Sequence, residues 1–115
     1  MPSKVLVVDD SQLILKIAEV FLRDQYAVVT ATSGPEALTA ASAERPDLIL
    51  MDLNMPGGNG PDALTALNRD ARTRHIPVVM MTTANHFQRL GAGVDCLEKP
   101  FDRPGLMDKV REYIH

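Results

Sequence analysis

The sequence predicts an α/β protein: a doubly wound, five-stranded parallel sheet in the order 2-1-3-4-5, covered by helices on both faces. Three observations carry that reading. Five short apolar runs recur along the 115 residues, the stretches between them repeat at helical spacing, and the alternation opens with a strand. Right-handed crossovers turn such an alternation into a parallel sheet, whose ligands bind beyond the carboxyl ends of the strands, where strand order reverses. For this order the reversal falls between strands 1 and 3.

The runs are Val5–Val8, Ala27–Ala31, Leu48–Met51, Val78–Met81 and Val94–Leu97. Most are β-branched or continuously apolar, as strands covered on both faces are. Residues 11–24 place Leu13, Ile14, Ile17, Ala18, Phe21 and Leu22 on one side of a helix, with Asp10 or Ser11 as its N-cap. Ser33 and Glu36 form a capping box with Pro35 near the start, predicting a second helix with Ala37, Leu38 and Ala41 turned inward. A third helix starts near Pro61 and buries Ala63, Leu64 and Leu67. The last starts near Asp102 and Pro104, with Leu106, Met107, Val110, Tyr113 and Ile114 as its apolar stripe.

At 115 residues with 45% apolar content, one domain over 1–115 with one core is the expectation, needing neither disulfide nor structural metal. The single cysteine, Cys96, has no partner for a bridge or a zinc site, which fits a reducing, cytoplasmic setting. No apolar run approaches the length of a membrane span, so no membrane association is expected. A net charge of −3 argues against direct binding of nucleic acid, which wants a basic face.

The residues that follow the strands carry the chemistry. Asp9 and Asp10 follow the first, Asp52 the third, Thr82 and Thr83 the fourth, and Lys99-Pro100 the fifth after Glu98. Three carboxylates, a hydroxyl and an ammonium thus meet at one edge, with the carboxylates at the reversal point. Two like charges about 4 Å apart repel by about 4 kcal/mol at an effective dielectric of 20. Such a cluster needs cations: Lys99 is one, and a set of oxygen ligands suits a hard ion such as Mg²⁺. That ion is a natural companion for phosphoryl transfer onto a carboxylate. Singly, each residue has a plain structural role as a helix cap, turn former or solvated charge. Together on one edge they read as a site.

At these residues the chain resembles the response regulator receiver family over nearly its whole length. KVLVVDDS resembles the first strand and acidic pair, and PDLILMDLNMPGGNG resembles the phosphoacceptor strand and its loop. HIPVVMMTTA resembles the strand with the switch hydroxyl, and GAGVDCLEKPF resembles the strand with the lysine-proline pair. The resemblance implies a flavodoxin-like fold and a place in a bacterial two-component phosphorelay. It makes Asp52 the phosphoacceptor. Asp9, Asp10, Asp52 and the backbone carbonyl of Asn54 become the ligands of Mg²⁺, with Mn²⁺ as a substitute. Lys99 and Thr82 bind the transferred group, and the Lys99–Pro100 peptide is cis. The implied donor is a phosphohistidine on a sensor histidine kinase or histidine phosphotransfer protein. The readout is a downstream protein partner or a fused output domain. Such a domain is no enzyme beyond catalysing its own phosphorylation and dephosphorylation.

Two departures stand out. Where the family has Tyr or Phe three residues before the lysine, this chain has Cys96, which has no ring to swing and reads as inert packing or, failing that, a redox sensor. The connection from strand 4 to strand 5, residues 83–93, is near the lower limit of about 10–12 residues for a parallel crossover. The helix expected there is therefore shortened to about one turn around Asn85–Leu90, or missing. Gly91 and Gly93 would loosen the segment, and Thr83–Gly93 is the expected moving part. Small Ala84, beside the path of an attacking water, points to easier hydrolysis.

Three other protein classes share parts of this pattern. A phosphatase of the haloacid-dehalogenase type places its nucleophile after the first strand with a second Asp two residues on, whereas Asp52 follows the third and position 54 is Asn. A flavodoxin needs a hydroxyl- and glycine-rich phosphate loop after strand 1, where acid stands instead. A receiver that binds partners without being phosphorylated stays open on account of Cys96 and the short connection.

Overall fold

The computed structural model describes residues 2–53, 55, 60–83 and 94–114. Its elements run β1 (Lys4–Val8), α1 (Gln12–Leu22), β2 (Ala27–Ala31), α2 (Gly34–Glu44), β3 (Leu48–Asp52), α3 (Gly60–Arg69), β4 (Val78–Thr82), β5 (Asp95–Glu98) and α4 (Arg103–Arg111). All four strand pairings are parallel and the order is β2-β1-β3-β4-β5, as predicted. The predicted short helix around Asn85–Leu90, and nearly all of the Thr83–Gly93 segment, lie outside the described residues.

Alternation along the strands divides the core into two layers. Val5, Val7, Leu48, Leu50, Val79, Met81 and Leu97 face α1 and α4, where they meet Leu15, Ala18, Leu22, Leu106, Met107 and Val110. Leu6, Val8, Ile49, Met51 and Met80 face α2 and α3, where Ala37, Ala41, Ala63 and Leu67 pack on them. β1 and β3 are closed in on both sides, with only Lys4 less than buried. β2 lies at the sheet's edge, and only Ala31 of its five residues is fully buried. Expecting it to be covered on both faces overstated its burial. An edge strand has a neighbour on one side only, and Thr30 is exposed.

The caps follow the sequence. Ser11 Oγ accepts the Ile14 N–H at 3.3 Å, Ser33 Oγ accepts the Glu36 N–H at 3.2 Å, and Asp102 Oδ1 accepts the Gly105 N–H at 2.8 Å. Each satisfies one of the helix's orphan donors. Gly105 suits its place because a Cβ there would stand 2.9 Å from that carboxylate oxygen.

On α1 the predicted face holds for Ala18, Phe21 and Leu22 but not for Leu13, whose place Leu15 takes. Leu15, Ala18 and Leu22 are the buried row of α1, while Leu13 is 69% exposed and Val20 40% exposed. At about 100° per residue Leu13 and Leu15 point to nearly opposite sides. α1 is apolar around much of its circumference, so periodicity alone leaves its rotation open. The rotation is chosen by what α1 must cover: the sheet on one side and α4 on the other.

Candidate phosphoacceptor site

The strand ends bring the acidic residues together. Parallel register places Val8 beside Met51 and Asp52 beside Met81, so β1, β3 and β4 end at nearly one level. Asp9 leaves β1 with its N–H donated to Ala31 O at 3.1 Å, and Leu53 leaves β3 with its N–H donated to Met81 O at 2.9 Å. Lys99 N–H donates to Thr82 O at 2.7 Å, which brings the lysine alongside the end of β4.

Side chains then converge. Lys99 Nζ lies 2.6 Å from Asp9 Oδ2 and 3.1 Å from Asp52 Oδ1, bridging the two carboxylates. Asp9 Oδ1 accepts the Ser11 N–H at 2.9 Å, so both of its oxygens are engaged and the α1 N-terminus sets its orientation. Asp9, Asp52 and Thr82 are buried, and Asp10 is exposed at the rim. One carboxylate oxygen from each of Asp9, Asp10 and Asp52 can be drawn within 4.8 Å of the others. Burial pulls the Lys99 ammonium down, but the Asp9 hydrogen bond and the charges of Asp52 and Asp9 outweigh it and raise its pKa. Lys99 is therefore a fixed cation at neutral pH. The Thr82 hydroxyl donates to Thr83 O at 3.2 Å.

Five of the six predicted site residues are thus brought to one edge, and the Lys99–Pro100 peptide is cis. The sixth, Asn54 with its backbone carbonyl, lies outside the described residues, as does Ala84. Cys96 is half-buried, with Sγ 3.7 Å from Val94 O. Burial first, then the nearby Asp95 charge, push its thiol pKa up, which suits packing and opposes thiolate chemistry.

With this geometry in place, comparison with known proteins is decisive: a profile described as "Response regulator receiver domain" matches residues 5–111. The chain belongs to the response regulator receiver family. It is 40% identical over 117 residues to the response regulator PleD of Caulobacter vibrioides, covering 96% of this chain but 26% of that protein. Its fold matches the chemotaxis response regulator CheY4 of Vibrio cholerae with a TM-score of 0.90 at 33% identity, covering 99% of this chain and all of that one. It also matches the receiver domain of the sensor histidine kinase PA1611 of Pseudomonas aeruginosa at 29% identity, with a TM-score of 0.87 and coverage of 99% and 98%. That structure has a magnesium ion coordinated in its active-site cleft. Among the described residues, no helix is long and apolar enough to cross a membrane.

One cluster escaped the sequence reading. At the start of β5, Asp95 accepts the Cys96 N–H at 2.8 Å and Lys109 Nζ at 3.1 Å on Oδ1, and the Tyr113 hydroxyl on Oδ2. Burial pushes its carboxyl up, but the bonds from Tyr113, Lys109 and Cys96 outweigh that and lower it. Burial and then Asp95 push the Tyr113 phenol up to about 12. The one available signal was Lys109 and Tyr113 standing four apart in the last predicted helix, which in the structure ends at Arg111 and leaves Tyr113 in the turn that follows. It does not reveal which strand they meet.

Proposed function

We propose that residues 1–115 are one receiver domain in which Asp52 takes a phosphoryl group from a phosphohistidine. The donor is a sensor histidine kinase or histidine phosphotransfer protein, and a downstream protein or fused output domain reads the result. The observation that carries this is Lys99 Nζ held between Asp9 and Asp52, a fixed cation beside a buried strand-end carboxylate.

The residues fit a divalent ion. Three carboxylates within 4.8 Å offer hard oxygen ligands, and Lys99 is the one cation among the described residues that touches them. Asp9, Asp10, Asp52 and the Asn54 carbonyl would hold Mg²⁺, or Mn²⁺ in its place. Bound there, the ion supplies charge neutralisation to the phosphoryl oxygens.

The chain's own residues do the rest. An Asp52 carboxylate oxygen attacks phosphorus, the P–N bond to the donor imidazole breaks, and that bond's electron pair leaves with the ring nitrogen. An acyl phosphate remains on Asp52. Lys99 leaves its carboxylate partners for a phosphoryl oxygen, meeting charge as it develops. Thr82 exchanges its Thr83 carbonyl acceptor for another phosphoryl oxygen, which draws the end of β4 toward the site. Attack of water on phosphorus breaks the P–O bond to Asp52, releases inorganic phosphate and returns the carboxylate, so the domain's chemistry is on itself. It acts in the cytoplasm, and its acidic site and net charge of −3 disfavour direct contact with nucleic acid.

Intact-protein mass after incubation with acetyl phosphate tests this. A Mg²⁺-dependent gain of one phosphoryl group, absent in Asp52→Asn, is the expected result. No gain, together with no binding of beryllofluoride, would overturn it.

A further inference from the structure

The cluster at Asp95 lies at the opposite end of β5 from Lys99 and has no part in the chemistry above. Among the described residues β5 is an edge strand, laddered to β4. From Asp95 to Lys99 it spans roughly 13 Å, at about 3.3 Å per residue. Its two ends are gripped by charge-assisted bonds: Lys99 to Asp9 and Asp52 at one, Asp95 to Lys109 and Tyr113 at the other.

The grip at Asp95 is more than a surface pair. Lys109 and Tyr113 stand one turn apart, so a single carboxylate holds α4 and its trailing turn at two heights. The Lys109 side chain is 19% exposed and also meets Glu112 at 3.1 Å, which restricts the ammonium to this place. Below it, Leu97, Leu106 and Val110 pack β5 and α4 into one apolar layer. Asp95 and Tyr113 also help line a groove of about 330 Å³, together with Asn68, Arg74, His75 and Pro77.

We propose that Asp95, Lys109 and Tyr113 form a clasp that carries movement of β5 to the C-terminal turn of α4. Phosphorylation at one end of the molecule thereby reshapes the groove at the other. The proposal rests on the receiver reading, because the movement begins when Lys99 exchanges its carboxylate partners for the phosphoryl group. A short strand free along one edge shifts as a unit with the residues at both ends. Asp95 then takes the two side chains it holds, and the turn that bears them, along with it.

The test compares backbone amide spectra of the full chain with and without Mg²⁺ and beryllofluoride, in the wild type, Tyr113→Phe and Lys109→Met. In the wild type, shifts at Asp9, Leu53 and Lys99 should be accompanied by shifts through Lys109–Ile114. In either variant the α4 shifts should fall to less than half while those at the site persist. Site shifts with a silent α4 in the wild type, or α4 shifts undiminished in both variants, would overturn the clasp alone. A wild type that responds nowhere would overturn the receiver reading and the clasp with it.

Discussion

At the scale of the residue, the site is a balance of charges rather than a store of stability. Three of Asp52's charged neighbours are the Lys99 ammonium at 3.1 Å and the carboxylates of Asp9 and Asp10, whose oxygens lie within 4.8 Å. With an effective dielectric of 20, the two repulsions slightly exceed the one attraction. Asp52→Asn should therefore raise stability by about 1–2 kcal/mol, read as a higher urea midpoint at unchanged slope. A lower midpoint would mean that Lys99 overcompensates. Lys99→Met should act in the other sense on function, slowing phosphorylation by acetyl phosphate by roughly 10²–10³-fold, the usual effect of removing a preorganised charge partner. A rate within threefold of wild type would remove Lys99 from the chemistry. These residues were legible because each follows a strand, and a parallel sheet gathers such positions at one edge. The Asp95 clasp was not legible. A carboxylate that begins a strand looks like any solvated charge until α4 is docked.

At the scale of the element, legibility depended on how many faces each sequence leaves open. α2 carries its own start signal in Ser33 and its own buried face in Ala37 and Ala41, so its reading largely survived, although the Glu36 carboxylate accepts the Thr32 hydroxyl at 2.9 Å rather than closing the box on Ser33. Ser33→Ala should cost about 1 kcal/mol, the usual price of a lost N-cap, measured by thermal or urea unfolding. α1 carries apolar residues on too many sides, and the sheet and α4 together decide that Leu15 goes in and Leu13 out. The two leucines should therefore part sharply. Leu15→Ala should cost about 2–5 kcal/mol, whereas Leu13→Gln should stay within about 0.5 kcal/mol of wild type. Equal costs would restore the rotation read from periodicity. β2 shows the same dependence on context: its five apolar or small residues mark a strand correctly, but not that it closes the sheet as an edge.

At the scale of the whole molecule, the two charged grips on β5 make stability depend on pH at the alkaline end. Tyr113 is raised from 10 to about 12, and Lys99 is raised from its ordinary value as well. A group whose folded pKa lies above its unfolded one contributes fully below the unfolded value and loses that contribution as pH rises through the folded value. Stability should thus hold up to about pH 10 and then fall toward pH 12, as phenolate and neutral amine cease to donate to Asp95, Asp9 and Asp52. Lys109, raised by Asp95 and Glu112 against the pull of burial, adds to the same fall, and Tyr113→Phe removes one contributor of the three. Its urea midpoint should lie below that of wild type at pH 8, and the gap should narrow steadily between about pH 10 and pH 12. Lys99→Met should show the same narrowing for the other end of the strand. If the gap for Tyr113→Phe stays constant across that window, the phenol's proton is not held by Asp95, and β5 is tied to α4 by Lys109 and the apolar layer.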